Sequence, residues 1–594
     1  MQQPSASPPG RSEVPAATPA ERVWLWAAIL AGAWLRLAYP SRMAVEHFDE
    51  AIYASNVLFG AESNWQYPRR EMYAPPLLPA AIEWLHIAWG ATGQAVPGWL
   101  PMVPALTCGI ATVPSLWWIA RRWFSPQAGI AAAWLIALCE FHAAYSRTAL
   151  TDVPLALLVL WAVYWFGRAL EAHSKWFAVL AGVFTAAAWW TKYNGWLPVA
   201  IAATGAVLFL RVMRAPRPAW LRSGAVCAIG GVFAAILWTP VIWDCQDIGG
   251  YAAVANNHRG YVEGWSNWFN NARQQFDRHG AAYAGWLTVL GVCGPTLALQ
   301  LATVSRRRSS APTSADSDPV YAWDGTRLFW LAVNGVILVV SPGSWFPMLI
   351  GVGIICSALA LKHAATDRNE RLALAAALVL VWVTSLVVAT PLYRAYPRLT
   401  MPLIVGGVLA ASIFWRRGWA PFADAPAGPA WCGCLVIAVL GTAIAFFRGS
   451  IAWEDRTGYR AAAQSIGADG ASRWWSDTRP ALVYAVVEPG FFYQLRVNGA
   501  PGLITGGADV VHNAPLGNQL FVAVGPLVGG TDEGRSVWFS QADEFELVGE
   551  YRAARLSSIT RFDHSPDVAA RLLDDDSATQ YRLYRWKGRN TGAP

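Results

Sequence analysis

The sequence predicts a polytopic α-helical membrane protein of about 13 transmembrane helices, with a C-terminal soluble mixed α/β domain. Three observations predict it. Of 594 residues, 55% are hydrophobic and only 14% charged, too little polar surface for a soluble chain of this length. Apolar runs long enough to cross a hydrocarbon core of about 30 Å recur from residue 23 to residue 447. The cationic residues fall in alternate connections between those runs.

The N-terminal stretch MQQPSASPPGRSEVPAATPA is rich in Pro, Ser and Ala, so residues 1–22 are expected to stay disordered. The first apolar run, 23–39, has no small-x-small cleavage site and is followed by many more, so it reads as an uncleaved first span. Further spans are expected at 98–120, 127–144, 153–170, 176–191, 195–213, 221–243, 283–303, 327–341, 345–361, 372–392, 400–415 and 430–447. On that count, Arg121/Arg122, Arg168/Lys175, Arg211, Arg214, Arg217, Arg222, Arg306, Arg307, Arg308, Lys362, Arg368, Arg371 and Arg416/Arg417 share one side. Positive loops mark the cytoplasm, which places the N-terminus inside and the segment from 448 outside, in an inner (plasma) membrane. The net charge of +7 is thereby spent on orientation, and no nucleic-acid partner is expected.

The outer face receives two long loops, 40–97 and 244–282, and four short connections. Residues 77–89, LLPAAIEWLHIAW, are apolar but too short to span, and read as an interfacial helix entered through Pro75-Pro76. The tail, 448–594, alternates strand-like runs (ALVYAVV, QLFVAVG, QYRLYRW) with helix-like ones (GYRAAAQSIG, DVAARLL), the pattern of a small α/β domain. The eight cysteines lie mostly in apolar runs without metal-ligand or disulfide spacing, so no metal site is read from them.

Every polar cluster with chemical potential lies on the outer face. Asp49 and Glu50, in EHFDEAIYASN, sit among apolar neighbours where a spare carboxylate is costly, which marks them as site candidates over a plain solvated pair. His47 and Tyr53 flank them as possible site lining. In YSRTALTDVP, Arg147 either pairs with Asp152 or acts directly, and Glu140 and His142 lie close before it. Lys192 in TKYNG, beside Tyr193 and Asn194, fits a snorkelling span-end lysine or the partner of an anion. Arg394 and Arg398 in PLYRAYPRLTMP run against the charge rule, and either lipid headgroups or a bound phosphate would explain them. Arg69 and Arg70 are further phosphate candidates.

Acids able to take a proton, cations able to hold a phosphate and an apolar surround fit a transferase using a lipid-phosphate sugar. The four motifs HFDEAIYASN, YAPPLLPAAIEW, YSRTALTDVPLALL and AAAWWTKYNGWLPV, in that order, resemble the type C polytopic glycosyltransferases. The similarity is to the group of protein O-mannosyltransferases and the lipid A aminoarabinose transferase, and it covers the first half of the chain well. It implies a catalytic Asp49 with Glu50 beside it, Asp152 as a second acid, and Lys192, Arg394 and Arg398 on the lipid phosphate. It implies inversion by one displacement from a polyprenyl-phosphate sugar to a protein, lipid or glycan hydroxyl, with no cofactor required and a divalent metal left open. Ala74 stands where relatives often carry a histidine, so that residue's role does not transfer. Two other classes stay open: a transporter or flippase of lipid-linked sugars, which would favour broken helices and an internal repeat, and a non-catalytic scaffold displaying its tail.

Overall fold

A computed structural model describes residues 16–55, 74–90, 96–282, 345–413, 450–475, 481–486, 488–498, 503–505, 519–528, 538, 542–564, 568, 572 and 576–587. The expected spans at 283–303, 327–341 and 430–447, together with Arg69 and Arg70, lie outside the described residues.

The first helix, α1 (Pro19–Leu37), begins inside the segment expected to be disordered. The reason is local: Thr18 accepts the Glu21 N–H at 3.2 Å, and Pro19 occupies the first helical position, where its missing donor costs nothing. A short helix, α2 (Phe48–Ala54), and the apolar α3 (Leu77–Ala88) follow, the latter over the stretch read as interfacial. The bundle continues with α4 (Val103–Trp123), α5 (Pro126–Ala137), α6 (Glu140–Ser146), α7 (Asp152–Ala172), α8 (Lys175–Thr191), α9 (Leu197–Val212) and α10 (Arg217–Asp244).

The expected third span is two helices, α5 and α6, bent by 60° at Leu138-Cys139. The polar groups of α6 require partners that a straight span would deny them: Glu140 accepts from Ser450 at 2.8 Å, and His142 meets Arg36 at 2.7 Å. The outer loop 244–282 is itself helical over α11 (Gly250–Arg259) and α12 (Trp268–Ala282). Then come α13 (Trp345–Thr366), α14 (Glu370–Ala389) and α15 (Met401–Ser412). Among the described residues five helices are long and apolar enough to cross a membrane, or six with the bent pair as one. Leu197–Val212 and Pro397–Ser412 are apolar but shorter. Large apolar side chains such as Leu30 on α1 and Ile236 on α10 stay exposed, as lipid contact permits and water would penalise.

The C-terminal region holds a five-stranded sheet of order β2-β1-β3-β5-β4: β1 (Ala481–Ala485), β2 (Leu503–Thr505), β3 (Gln519–Val524), β4 (Phe545–Arg552) and β5 (Gln580–Trp586). β1, β2 and β3 run parallel, and β5 pairs antiparallel with both β3 and β4. Helices α16 (Gly458–Asp469), α17 (Pro489–Asn498) and α18 (Ser558–Phe562) accompany it. Strand alternation sends Val483 and Ala485 into one core, and Leu482 and Tyr484 into a second with Trp538 and Phe545. The first of these cores is continuous with that of the helical bundle. The tail is therefore seated on the bundle, at the end where α2 lies against α17. Gly490, at the start of α17, has no room for a Cβ, because one would collide with the Glu46 carbonyl.

Candidate active site

Seven residues are too few for a helix to stand alone, so α2 depends on its ends. Glu50 reaches back to the N–H groups of Glu46 (3.0 Å) and His47 (2.9 Å), while His47 Nδ1 accepts the Asp49 N–H at 3.1 Å. This reciprocal cap fixes two adjacent carboxylates on different sides of one helical turn. Their surroundings then diverge.

Glu50 faces the protein. Besides the two α2 amides, its carboxylate accepts from the Ala149 N–H (2.8 Å) and from Arg456 Nη2 (2.5 Å). Arg456 also donates to the Arg147 carbonyl at 3.0 Å and approaches Glu46 at 3.7 Å. Glu46 in turn accepts from Thr560 at 2.7 Å and from the Ser557 backbone and hydroxyl. Burial opposes ionisation of Glu50, but Arg456 outweighs it and holds the carboxyl below its ordinary value. For Glu46 burial wins over Arg456 and the hydroxyls, and its carboxyl is pushed up. Both Glu50 oxygens accept hydrogen bonds from the protein, an arrangement that anchors α2.

Asp49 faces the other way. Arg398 Nη1 donates to its Oδ2 at 2.6 Å, and among the described residues no side chain donates to Oδ1. Arg398 Nε lies 3.2 Å from Asp563, which His47 Nε2 also meets at 2.9 Å. Burial works against ionised Asp49, yet Arg398, then His47 and Lys192, outweigh it and hold the carboxyl below the ordinary aspartate range. Asp563 is depressed likewise: Arg398 and His47 overcome its burial.

Asp152, at the first turn of α7, accepts from Lys192 at 2.6 Å through Oδ1, while its buried Oδ2 has no hydrogen-bond partner among the described residues. Lys192 closes α8 and is part-exposed. Tyr53 is buried where it feels Asp49, Arg398, Asp152 and Tyr193, so both ion pairs share one electrostatic neighbourhood. Tyr193 packs edge-on against Trp238, Tyr251 and His258, and the neighbouring Asn194 Oδ1 is buried without a partner. Arg394 lies over the Tyr261 ring, 3.6 Å from Glu263, with its side chain 52% exposed. Tyr261 feels Asp49, Arg398 and Arg394 together. Among the described residues, no group of three His, Cys, Asp or Glu is arranged to hold a metal ion.

Three expected site residues are placed elsewhere. Arg147 donates to the carbonyls of Arg36 (2.8 Å), Ala38 (2.6 Å) and Tyr39 (3.3 Å), so its guanidinium caps the end of α1 instead of facing a phosphate. Glu140 and His142 are the buried bend contacts described above, not site lining. In exchange, the structure adds Asp563, Arg456, Glu46 and Tyr261 to the neighbourhood. Glu46 adjoins the quoted motif and Arg456 follows the last apolar run, faint signals at best. Asp563, in a polar tail, carries no sequence signal.

Residues 75–243 match the profile of the family described as dolichyl-phosphate-mannose-protein mannosyltransferase. Over 98% of this chain and 100% of the other, the fold matches that of ArnT from Cupriavidus metallidurans bound to undecaprenyl phosphate, at a TM-score of 0.50 and 15% identity. AglB, the oligosaccharyltransferase of Archaeoglobus fulgidus in complex with an inhibitory peptide and a dolichol-phosphate, aligns at a TM-score of 0.46 and 12% identity, covering 86% of this chain and 70% of that one. No curated protein matches the chain in sequence. The matched profile belongs to the family group that the motifs resemble, and the fold is shared with ArnT.

Proposed function

We propose that this chain is a membrane glycosyltransferase that moves a hexose or pentose from a polyprenyl-phosphate donor to a hydroxyl acceptor, by a single inverting displacement. The observation that carries this reading is the convergence of an ionised, part-exposed Asp49 with Lys192, Arg398 and Arg394 on the face where the tail is seated. The family profile over 75–243 supports the sugar-transfer class, and the fold shared with ArnT supports a lipid-phosphate donor. By the loop charges, that face is extracytoplasmic.

In this mechanism the acceptor hydroxyl approaches Asp49 Oδ1, the oxygen to which no described side chain donates. Its oxygen attacks the anomeric carbon as the bond from that carbon to the phosphate oxygen breaks, and the electron pair leaves on the phosphate. The hydroxyl proton passes to Asp49. A depressed carboxyl is a weak base toward a neutral alcohol, but the alcohol turns strongly acidic as its oxygen bonds to an oxocarbenium-like carbon, so a late transfer suffices. The leaving polyprenyl phosphate gains a charge, which fixed cations stabilise without reorganisation. Lys192 has three N–H donors and Asp152 takes one, leaving two for phosphate oxygens. Arg394 is the most open cation at the site. Asp152 Oδ2 and Asn194 Oδ1 offer unfilled acceptors to sugar hydroxyls.

The acceptor is a protein, lipid or envelope glycan, and the surrounding membrane lipids carry the donor. The test is direct: purified, reconstituted chain is given radiolabelled undecaprenyl- and dolichyl-phosphate sugars with membrane extract, and labelled products are identified. Transfer that vanishes in Asp49→Asn while the protein stays folded supports the reading. A wild-type chain that labels nothing, or moves lipid-linked sugar across a vesicle without cleaving it, overturns it.

A further inference from the structure

We infer that Asp563 is a positioning residue for this transfer: it orients Arg398 and His47 on either side of Asp49, so the C-terminal unit completes the active site. The inference rests on the reading of Asp49 as the base.

The geometry is specific. Asp563 Oδ2 lies between Arg398 Nε (3.2 Å) and His47 Nε2 (2.9 Å), and its side chain is 2% exposed. Arg398 spends Nη1 on Asp49, and His47 spends Nδ1 on the Asp49 amide. Asp49 is thus gripped through two residues, and both converge on one carboxylate from the tail. The Arg398 guanidinium is hydrogen-bonded through Nη1 to Asp49 and in charge contact through Nε with Asp563, so the tail carboxylate restrains its rotation electrostatically.

The backbone carrying Asp563 is itself fixed. Arg278, on α12, donates to the carbonyls of Phe562 (2.9 Å) and His564 (3.2 Å), the residues on both sides of it. The same guanidinium donates to Ala395 (2.6 Å), in the loop that bears Arg398. Upstream, Ser557 and Thr560 are tied to Glu46, one residue before His47. One arginine therefore sets the tail and the Arg398 loop in a common frame, and a carboxylate with no other described partner points into the gap.

Asp563 also divides the Arg398 charge. The groups facing Asp49 are Arg398 and His47, Lys192 from the end of α8, Asp152 from α7, Tyr53 from its own helix and Tyr261 from the outer loop. Asp49 and Asp563 repel one another across Arg398. Neutralising Asp563 leaves the Arg398 charge to Asp49 and Asp152, which stabilises the Asp49 carboxylate and lowers its pKa further. The base becomes weaker, and the acid limb of the pH–rate profile moves to lower pH. A residue that merely packed the tail would leave that limb where it is.

The experiment compares reconstituted full-length wild type, Asp563→Asn and Asp563→Glu with a lipid-phosphate sugar, across pH, with melting temperatures as a folding check. Asp563→Asn is expected to lower kcat by roughly tenfold or more with the donor KM within about threefold, and to move the acid limb downward, with Asp563→Glu recovering part of kcat. A second variant, Arg278→Gln, frees the backbone on both sides of Asp563 while keeping Asp49, His47, Arg398 and Asp563 themselves, and is expected to lower kcat in the same direction with the donor KM kept. Wild-type kcat and an unmoved acid limb in folded Asp563→Asn overturn the inference. If that variant does not fold, wild-type kcat in Arg278→Gln overturns it. A wild type inert toward every lipid-phosphate sugar overturns the functional reading beneath it, whereas an active wild type with indifferent variants overturns this inference alone.

Discussion

Two carboxylate–arginine knots sit back to back on α2, and they differ in closure. In the first, Glu50, Glu46 and Arg456 are sealed: the side chains are 0%, 0% and 4% exposed, and both Glu50 oxygens are bonded. In the second, Asp49 and Arg398 are 19% and 13% exposed, and among the described residues no side chain donates to the second Asp49 oxygen. Adjacent residues of like charge thus divide the labour of anchoring and chemistry. Helical geometry explains how, because consecutive side chains point about 100° apart and meet different neighbours. A saturated acid stabilises, while an acid with an oxygen that no described side chain fills can accept a proton.

That contrast can be broken by experiment. The largest effect is expected at Asp49: Asp49→Asn should lower transfer by roughly 10²–10⁴-fold, the usual span for a lost general base, with donor binding kept. A reconstituted variant turning over at the wild-type rate would end the division of labour. Arg456→Met attacks the closed knot, leaving Glu50 buried and uncompensated; a loss of about 3–5 kcal/mol of stability is expected, read by denaturant unfolding. Should Arg456→Met instead abolish transfer in a fully stable protein, the closed knot is chemical after all.

Smaller changes sharpen the comparison. Lys192→Ala should weaken lipid-phosphate donor binding by roughly 10–100-fold, as charge-assisted hydrogen bonds are worth about 1.5–3 kcal/mol. Titration with undecaprenyl phosphate reads it directly. Acid tests both knots at once. Asp49 and Glu50 have depressed pKa values, so their stabilisation is present above the ordinary carboxylate range and is lost as pH falls through the depressed values. Glu46 is raised and runs the opposite way, losing its contribution as pH climbs. Transfer should therefore persist on the acid side through the ordinary aspartate range and fall only below it, and an acid limb lying above that range would contradict the Asp49 assignment. Arg394→Ala is expected to cost least, less than about fivefold in donor affinity, because a half-exposed cation is screened by water.

The motifs themselves were legible. HFDEAIYASN, YSRTALTDVP, TKYNG and PLYRAYPRLTMP, read from charge sidedness and span length, supplied Asp49, Asp152, Lys192 and Arg398, which the structure gathers into one neighbourhood. Less legible was what each polar residue spends its hydrogen bonds on. Arg147 looked like a phosphate ligand because its motif lies on the outer face, yet three carbonyls at the end of α1 consume its donors. A straight third span looked adequate because hydropathy averages over a window and does not register that Glu140 and His142 need partners. Strand β4 was missed since FELVGEYR, half-exposed and broken by a bulge near Gly549, lacks the long apolar run of β1 or β3.

The class of fold, the gathering of charge on alternate connections and the two acids at the start of α2 are readable from the residues alone. Those follow from transfer free energies and turn lengths, which are local quantities. Only the tertiary structure decided which acid is sealed and which is open, and that a tail carboxylate, Asp563, reaches Arg398 and His47. The physical reason is that ionisation and hydrogen-bond saturation depend on neighbours brought together from hundreds of residues apart, and no window along the chain contains them.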